Sequence, residues 1–176
     1  MIRPLVLVVN LLVVLVGLGI AVAHKERTLR DGTVVFLRLA PVDPRSLLQG
    51  DYMRLAYAMD AAVNTSRQDP RGATPDLPRD GLLVVRREPS GEATFVRLDR
   101  DAPGRGAPLA PGELRLRYRV RDGWMRVGTD AFYFEEGQTD RFASAVFGEL
   151  RVDAAGESVL VNMRDEAMVP LGPGLR

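Results

Sequence analysis

An uncharged apolar run from Pro4 to Ala23, broken only by Asn10, opens the chain, and nothing later matches its density. At 1.5 Å per residue about 20 helical residues cross a hydrocarbon core of about 30 Å, so the run predicts one transmembrane helix. Two readings of it stand. Ala21-Val22-Ala23 has the small-x-small form of a signal-peptidase site, but the run is longer than an ordinary signal-peptide core, which favours a retained signal anchor over residues 1–23.

Past the span the hydrophobic period drops to two. Thr33–Leu39 is rich in β-branched and apolar residues, and Met53, Leu55, Tyr57 and Met59 alternate with Tyr52, Arg54, Ala56 and Ala58 as the two faces of a strand would. Gly81–Arg87 and Thr94–Leu98, joined through Pro89-Ser90-Gly91, read as a hairpin. Leu114, Leu116, Tyr118 and Val120 alternate with Arg115, Arg117, Arg119 and Arg121, the cleanest strand pattern present. Asp122-Gly123 is a tight-turn dipeptide, and Trp124, Met125 and Val127 follow it. Aromatic residues gather at Phe132-Tyr133-Phe134, Arg141–Phe147 reads as a short helix or irregular crossing, and Leu150–Asn162 reads as a last hairpin.

Asn64–Asp80 and Asp101–Gly112 have the composition of surface loops. Asn64-Thr65-Ser66 is a glycosylation sequon that matters only in a host modifying such sites. The expected architecture is mainly β: a single small antiparallel β-rich domain, sandwich- or barrel-like, over 33–169. It follows a membrane helix at 1–23 and a juxtamembrane stalk at 24–32, and precedes a frayed tail at 170–176.

Charge and composition narrow the function. The formal net charge is +1 with 24 basic and 23 acidic residues, so there is no basic excess to drive nucleic-acid binding. Without cysteine there is neither a disulfide framework nor a thiolate metal site. The one histidine, His24, lies at the membrane edge, which leaves a Ser-His-acid set and a zinc site without parts, and no cofactor is expected. The layout is similar to that of bacterial signal peptidases, but Val42 stands at the nucleophile's place and Lys25 is no general base there. The arginine row reads first as a solvated strand face meeting acids on neighbouring strands, and second as an anion surface for lipid headgroups, a polyanion or an acidic partner.

The most specific stretch is Pro41–Tyr57. Pro41 and Pro44 hold the backbone extended, Asp43 suits an Asx-type turn, and Gly50-Asp51 supplies a second turn before the alternation begins. Leu55 and Tyr57 belong to the buried side, whereas Asp43, Arg45, Gly50, Asp51 and Tyr52 remain as candidate binding residues. Gly50-Asp51-Tyr52-Met53-Arg54-Leu55-Ala56-Tyr57 fits a Gly-Asp-Tyr-x-x-Leu-x-Tyr signature. In this it resembles the GDYXXLXY family of bacterial membrane-anchored proteins of unknown function. Pro41–Arg45, Lys25-Glu26 with Thr28-Leu29 and Gly32, and Glu136-Gly137 are similar to that family's pattern, with Gln49 standing where Arg is common.

The resemblance implies an inner-membrane anchor, a periplasmic domain and a gene neighbour encoding a multi-spanning membrane protein, and it implies no catalytic residue. The charge flanking the span, Arg3 before it and Lys25, Arg27 and Arg30 after it, does not settle that orientation and leans slightly toward a cytoplasmic C-terminus, against the signal-like N-terminus and the resemblance. The expected function is a non-enzymatic binding or accessory module for a multi-spanning membrane protein or envelope component. The alternative is an envelope enzyme or small-ligand binder using Asp43, Arg45, Asp51 and Tyr52.

Overall fold

The computed structural model describes residues 2–40, 52–66, 77–99 and 107–174. Helix α1 (Ile2–Asp31) continues beyond the apolar run through the stretch expected as a stalk. A chain crossing hydrocarbon must satisfy its backbone internally, which a helix does. The helix ends where Gly32 N–H bonds the Thr28 carbonyl at 3.0 Å. A Cβ at Gly32 would lie 2.4 Å from that oxygen, so the stop requires glycine. Arg151 Nη1 donates to the carbonyls of Arg30 and Gly32, covering the negative end of the helix.

The rest is mainly β, in antiparallel sheets with a half-barrel curl, as the alternation predicts. β1 (Thr33–Arg38), β8 (Phe147–Val152) and β9 (Ser158–Arg164) form one sheet in the order β1-β8-β9. β3 (Asp80–Arg87), β4 (Ala93–Asp99), β5 (Glu113–Arg121) and β6 (Trp124–Val127) form a second in the order β4-β3-β5-β6. A third is the pair β2 (Tyr52–Arg54) and β7 (Ala131–Tyr133). β1 joins the first two sheets where Phe36 N–H bonds the Gly91 carbonyl at 2.9 Å. Asp122 and Gly123 both take positive φ, 52° and 78°, as the two-residue turn between β5 and β6 demands.

Val35, Leu37, Leu83, Leu116, Met125, Leu150 and Met163 form the fully buried centre. Phe132 and Phe134 pack on Phe142 with ring centroids 5.1 and 5.0 Å away. Phe142 comes from α3 (Thr139–Phe142), a short helix starting two residues earlier than expected.

Two expectations need correction. Met53, Leu55, Tyr57 and Met59 are all buried, but the strand ends at Arg54 and α2 (Ala58–Ser66) begins four residues later. A period of two over so short a run does not separate a strand entering a helix from one continuous strand. The described part of the tail expected to fray, 170–174, is tied to β9: Leu171 N–H bonds the Met163 carbonyl at 2.9 Å, and Asn162 Nδ2 donates to the Gly172 carbonyl at 2.8 Å.

Candidate functional site

Asp43, Arg45, Gly50 and Asp51 lie outside the described residues, so the candidate set is seen from Tyr52 onward. β2 places Tyr52 opposite Tyr133 of β7, with the rings 5.6 Å apart and tilted by 34°. Met53 then points inward, and Leu55 N–H bonds the Asp130 carbonyl at 2.8 Å. Ala40 N–H bonds the Ala56 carbonyl at 2.7 Å, which fixes the segment against the end of β1. Tyr57 closes the run with its ring 1% exposed.

Glycines make room for that ring. A Cβ at Gly148 would sit 3.2 Å from Tyr57 Cε1, and one at Gly128 3.2 Å from Cε2. Burial, with Asp60 and Asp130 nearby, pushes the Tyr57 hydroxyl well above its ordinary range. The Thr129 amide lies on the same side and opposes that shift, yet the hydroxyl closes no hydrogen bond of normal geometry. Leu55 and Tyr57 are therefore core residues, as their side of the alternation predicts.

Each arginine of the row meets an acid, Arg115 and Arg119 on strands of the same sheet as the first reading expects, Arg117 and Arg121 on the turn before β9 and the loop after β6. Arg115 Nε meets Asp99 Oδ2 at 2.7 Å, Arg117 Nε meets Glu157 Oε1 at 2.8 Å, Arg119 Nε meets Asp80 at 3.6 Å, and Arg121 Nη1 meets Asp130 Oδ2 at 3.1 Å. At Arg117 the charges are close, but the N–H is misdirected and makes no hydrogen bond. Arg117, Arg119 and Arg121 also line an open cleft of about 410 Å³ together with Lys25, Arg126 and Tyr133. Its carboxylates are shared: Glu157 also faces Lys25 at 3.7 Å, and Asp130 also faces Arg126 at 3.8 Å. Among the described residues, no group of three His, Cys, Asp or Glu side chains could hold a metal ion.

A family model described as GDYXXLXY protein matches residues 14–163, most of the chain. The chain belongs to that family. No curated protein and no solved structure matches it. Within the GDYXXLXY signature, the described part thus divides between a core (Leu55, Tyr57) and a half-buried aromatic contact (Tyr52 on Tyr133).

Directly after the GDYXXLXY signature, Asp60 and Asn64 carry structure that the loop reading missed. β6 is an edge strand, and its outward backbone groups need partners. Asn64 Nδ2 donates to the Met125 carbonyl at 3.0 Å, and its Oδ1 accepts from the Met125 amide at 3.0 Å. One turn earlier, Asp60 Oδ1 accepts from the Val127 amide at 3.1 Å. Burial raises the Asp60 carboxyl to about 7, opposed by the Val127 and Tyr57 amides and by Arg126. The sequon is thus spent on packing: Asn64 is buried. The signal that reveals it is the i, i+4 spacing of Met59 with Val63 and of Asp60 with Asn64, which is helical.

Proposed function

We propose that this GDYXXLXY protein is a single-pass inner-membrane protein whose β-rich domain stands in the periplasm. There it serves as a non-enzymatic binding or accessory module for a multi-spanning membrane protein or envelope component. One observation carries the reading: large apolar side chains of α1 from Val6 to Val22 are 50–70% exposed. No other described element covers that length, and a hydrocarbon environment would. Further along, α1 packs on the domain, since Thr28 is buried and donates to Asp153 at 3.1 Å. The N-terminal position of the span and the implication of the family favour a periplasmic domain over the cytoplasmic one that flanking charge leans toward.

The charged residues described support binding over catalysis. The row on β5 meets neighbouring acids, and among the described residues the one strongly raised carboxyl, Asp60, is engaged in holding β6. Asp43, Arg45, Gly50, Asp51 and Tyr52 are the binding residues in this reading, and the buried Leu55 and Tyr57 have a structural part only.

Alkaline carbonate extraction of membranes, with protease added to intact spheroplasts, tests the placement. The full-length chain stays in the pellet and its domain is digested from outside; release from the pellet, or protection of the domain, overturns the placement. Cross-linking in native membranes then tests the role. Replacing Asp51 and Tyr52 together with Ala reduces capture of a membrane partner while leaving the melting temperature nearly unchanged. Equal loss of both would make the motif a fold element only.

A further inference from the structure

We infer that the cleft over the arginine row binds the phosphate of an anionic phospholipid at the membrane surface. The inference rests on α1 spanning the bilayer, as proposed above. The turn from Asp153 to Glu157 is held against the start of the juxtamembrane helix: His24 Nε2 lies 3.5 Å from Asp153, and Lys25 Nζ lies 3.7 Å from Glu157. Lys25 follows the last apolar residue, Ala23, by two positions, or about 3 Å of helix. The headgroup layer is about 5–8 Å deep on each side of the core. The Lys25 end of the cleft therefore lies at headgroup level, and the arginines of β5 lead away from it.

The chemistry of the cleft suits that occupant. Lys25, Arg117, Arg119, Arg121 and Arg126 line it against two carboxylates, Asp130 and Glu157. Each of those acids is divided between two cations. Arg119 has only a 3.6 Å approach to Asp80, with both side chains about 60% exposed. Counting Asp80 as well, five cations face three acids, so positive charge remains in excess. A guanidinium has five N–H donors, and the ion pairs here leave several of them to face a tetrahedral oxyanion. Tyr133, 74% exposed on the lining, adds an amphipathic ring to the cleft wall.

Native mass spectrometry of the full-length chain, released from mixed micelles of phosphatidylglycerol and phosphatidylcholine, reads the bound lipid directly. Phosphatidylglycerol is retained in preference. Lys25→Gln with Arg119→Gln lowers that preference by about fivefold per charge, and Glu157→Gln, which removes a competing carboxylate, raises it. Arg54→Gln, at an exposed position on β2, leaves it unchanged. Thermal melts of each variant separate lost binding from lost folding, and Glu157→Gln asks for a gain that unfolding cannot produce. Equal retention of the two lipids, or no response to either cleft variant, overturns the inference. Displacement of the lipid by millimolar inorganic phosphate reassigns the cleft to free anions, and displacement by a polyglutamate peptide reassigns it to an acidic protein segment. Carbonate extraction is scored separately, so a chain that stays in the membrane but shows no lipid preference loses only this inference.

Discussion

Asn64 acts toward Met125 as a neighbouring strand would, donating to its carbonyl and accepting from its amide, both at 3.0 Å. Both residues are buried, so neither backbone group of Met125 has water to turn to. Asn64→Ala should leave both unsatisfied at about 1–3 kcal/mol each, less whatever relaxation recovers. A loss of about 2–4 kcal/mol is expected in denaturant melts, with the melting temperature falling by about 5–15 °C. Asn64→Asp keeps the acceptor but not the donor and should fall between the two. A loss under about 0.5 kcal/mol for the alanine variant would show that the helix does not support the edge of β6.

The second tyrosine of the signature should be needed for its ring and not for its hydroxyl. Tyr57 Oη is buried without a hydrogen bond of normal geometry, so Tyr57→Phe removes an unsatisfied group and should be neutral or stabilising by up to about 1 kcal/mol. Tyr57→Ala should cost about 3–5 kcal/mol through the cavity it opens. Gly148→Ala should also destabilise, because its new methyl would press on Tyr57 Cε1 at 3.2 Å and on Leu160 Cδ1 at 3.1 Å. Urea melts of the three variants check this, and a Phe variant as damaged as the Ala one would contradict it.

Much of the fold is legible from period and turn chemistry. The alternation of β5, the Asp122-Gly123 turn and the last hairpin follow from rules local to a few residues, and so does the apolar span. What escapes such rules is a change of period within a motif: Met53, Leu55, Tyr57 and Met59 are all buried, yet the chain passes from strand to helix between Arg54 and Ala58. The polar anchors Asp60 and Asn64 escape for a related reason. Their role depends on β6, more than sixty residues further on, and a polar residue after an apolar run reads locally as the start of a loop. The arginine row shows the reverse case, since alternation marks the strand while only the tertiary pairing reveals which acids meet it.

That row should divide sharply on mutation. Arg115 meets Asp99 at 2.7 Å, and the Asp99 side chain is only 6% exposed. Arg115→Gln strands that carboxylate and should cost about 1–3 kcal/mol. Arg119 approaches Asp80 at 3.6 Å in open solvent, and Arg119→Gln should stay within about 0.5 kcal/mol of the parent. Added salt should further narrow the effect at Arg119 and leave that at Arg115 largely intact. Equal effects at both positions, in parallel urea melts at low and high salt, would show that the distances do not report the strength of the pairs.

Stability should decline from mildly acidic to mildly basic pH through Asp60. Burial raises its folded-state carboxyl from 3.8 to about 7, so between those values the folded chain binds a proton that the unfolded chain has released. The stabilisation is full below the unfolded value and is lost as pH rises through about 7. Glu113 has the opposite sign: hydrogen bonds from Arg97 and the Ala110 amide hold its carboxyl below the usual range. Its contribution is lost only as pH falls through that lowered value, so it is level above about pH 5. Over pH 5–8 the slope should therefore belong to Asp60, on the order of 2 kcal/mol. Asp60→Asn keeps an oxygen for the Val127 amide and removes the charge. It should match the parent at pH 5, exceed it at pH 8 and show a flat profile, whereas Asp60→Leu should be weaker throughout because Val127 N–H loses its acceptor. Urea midpoints at half-unit pH intervals read all three, and a parent profile as flat as that of Asp60→Asn would remove Asp60 as the source of the slope.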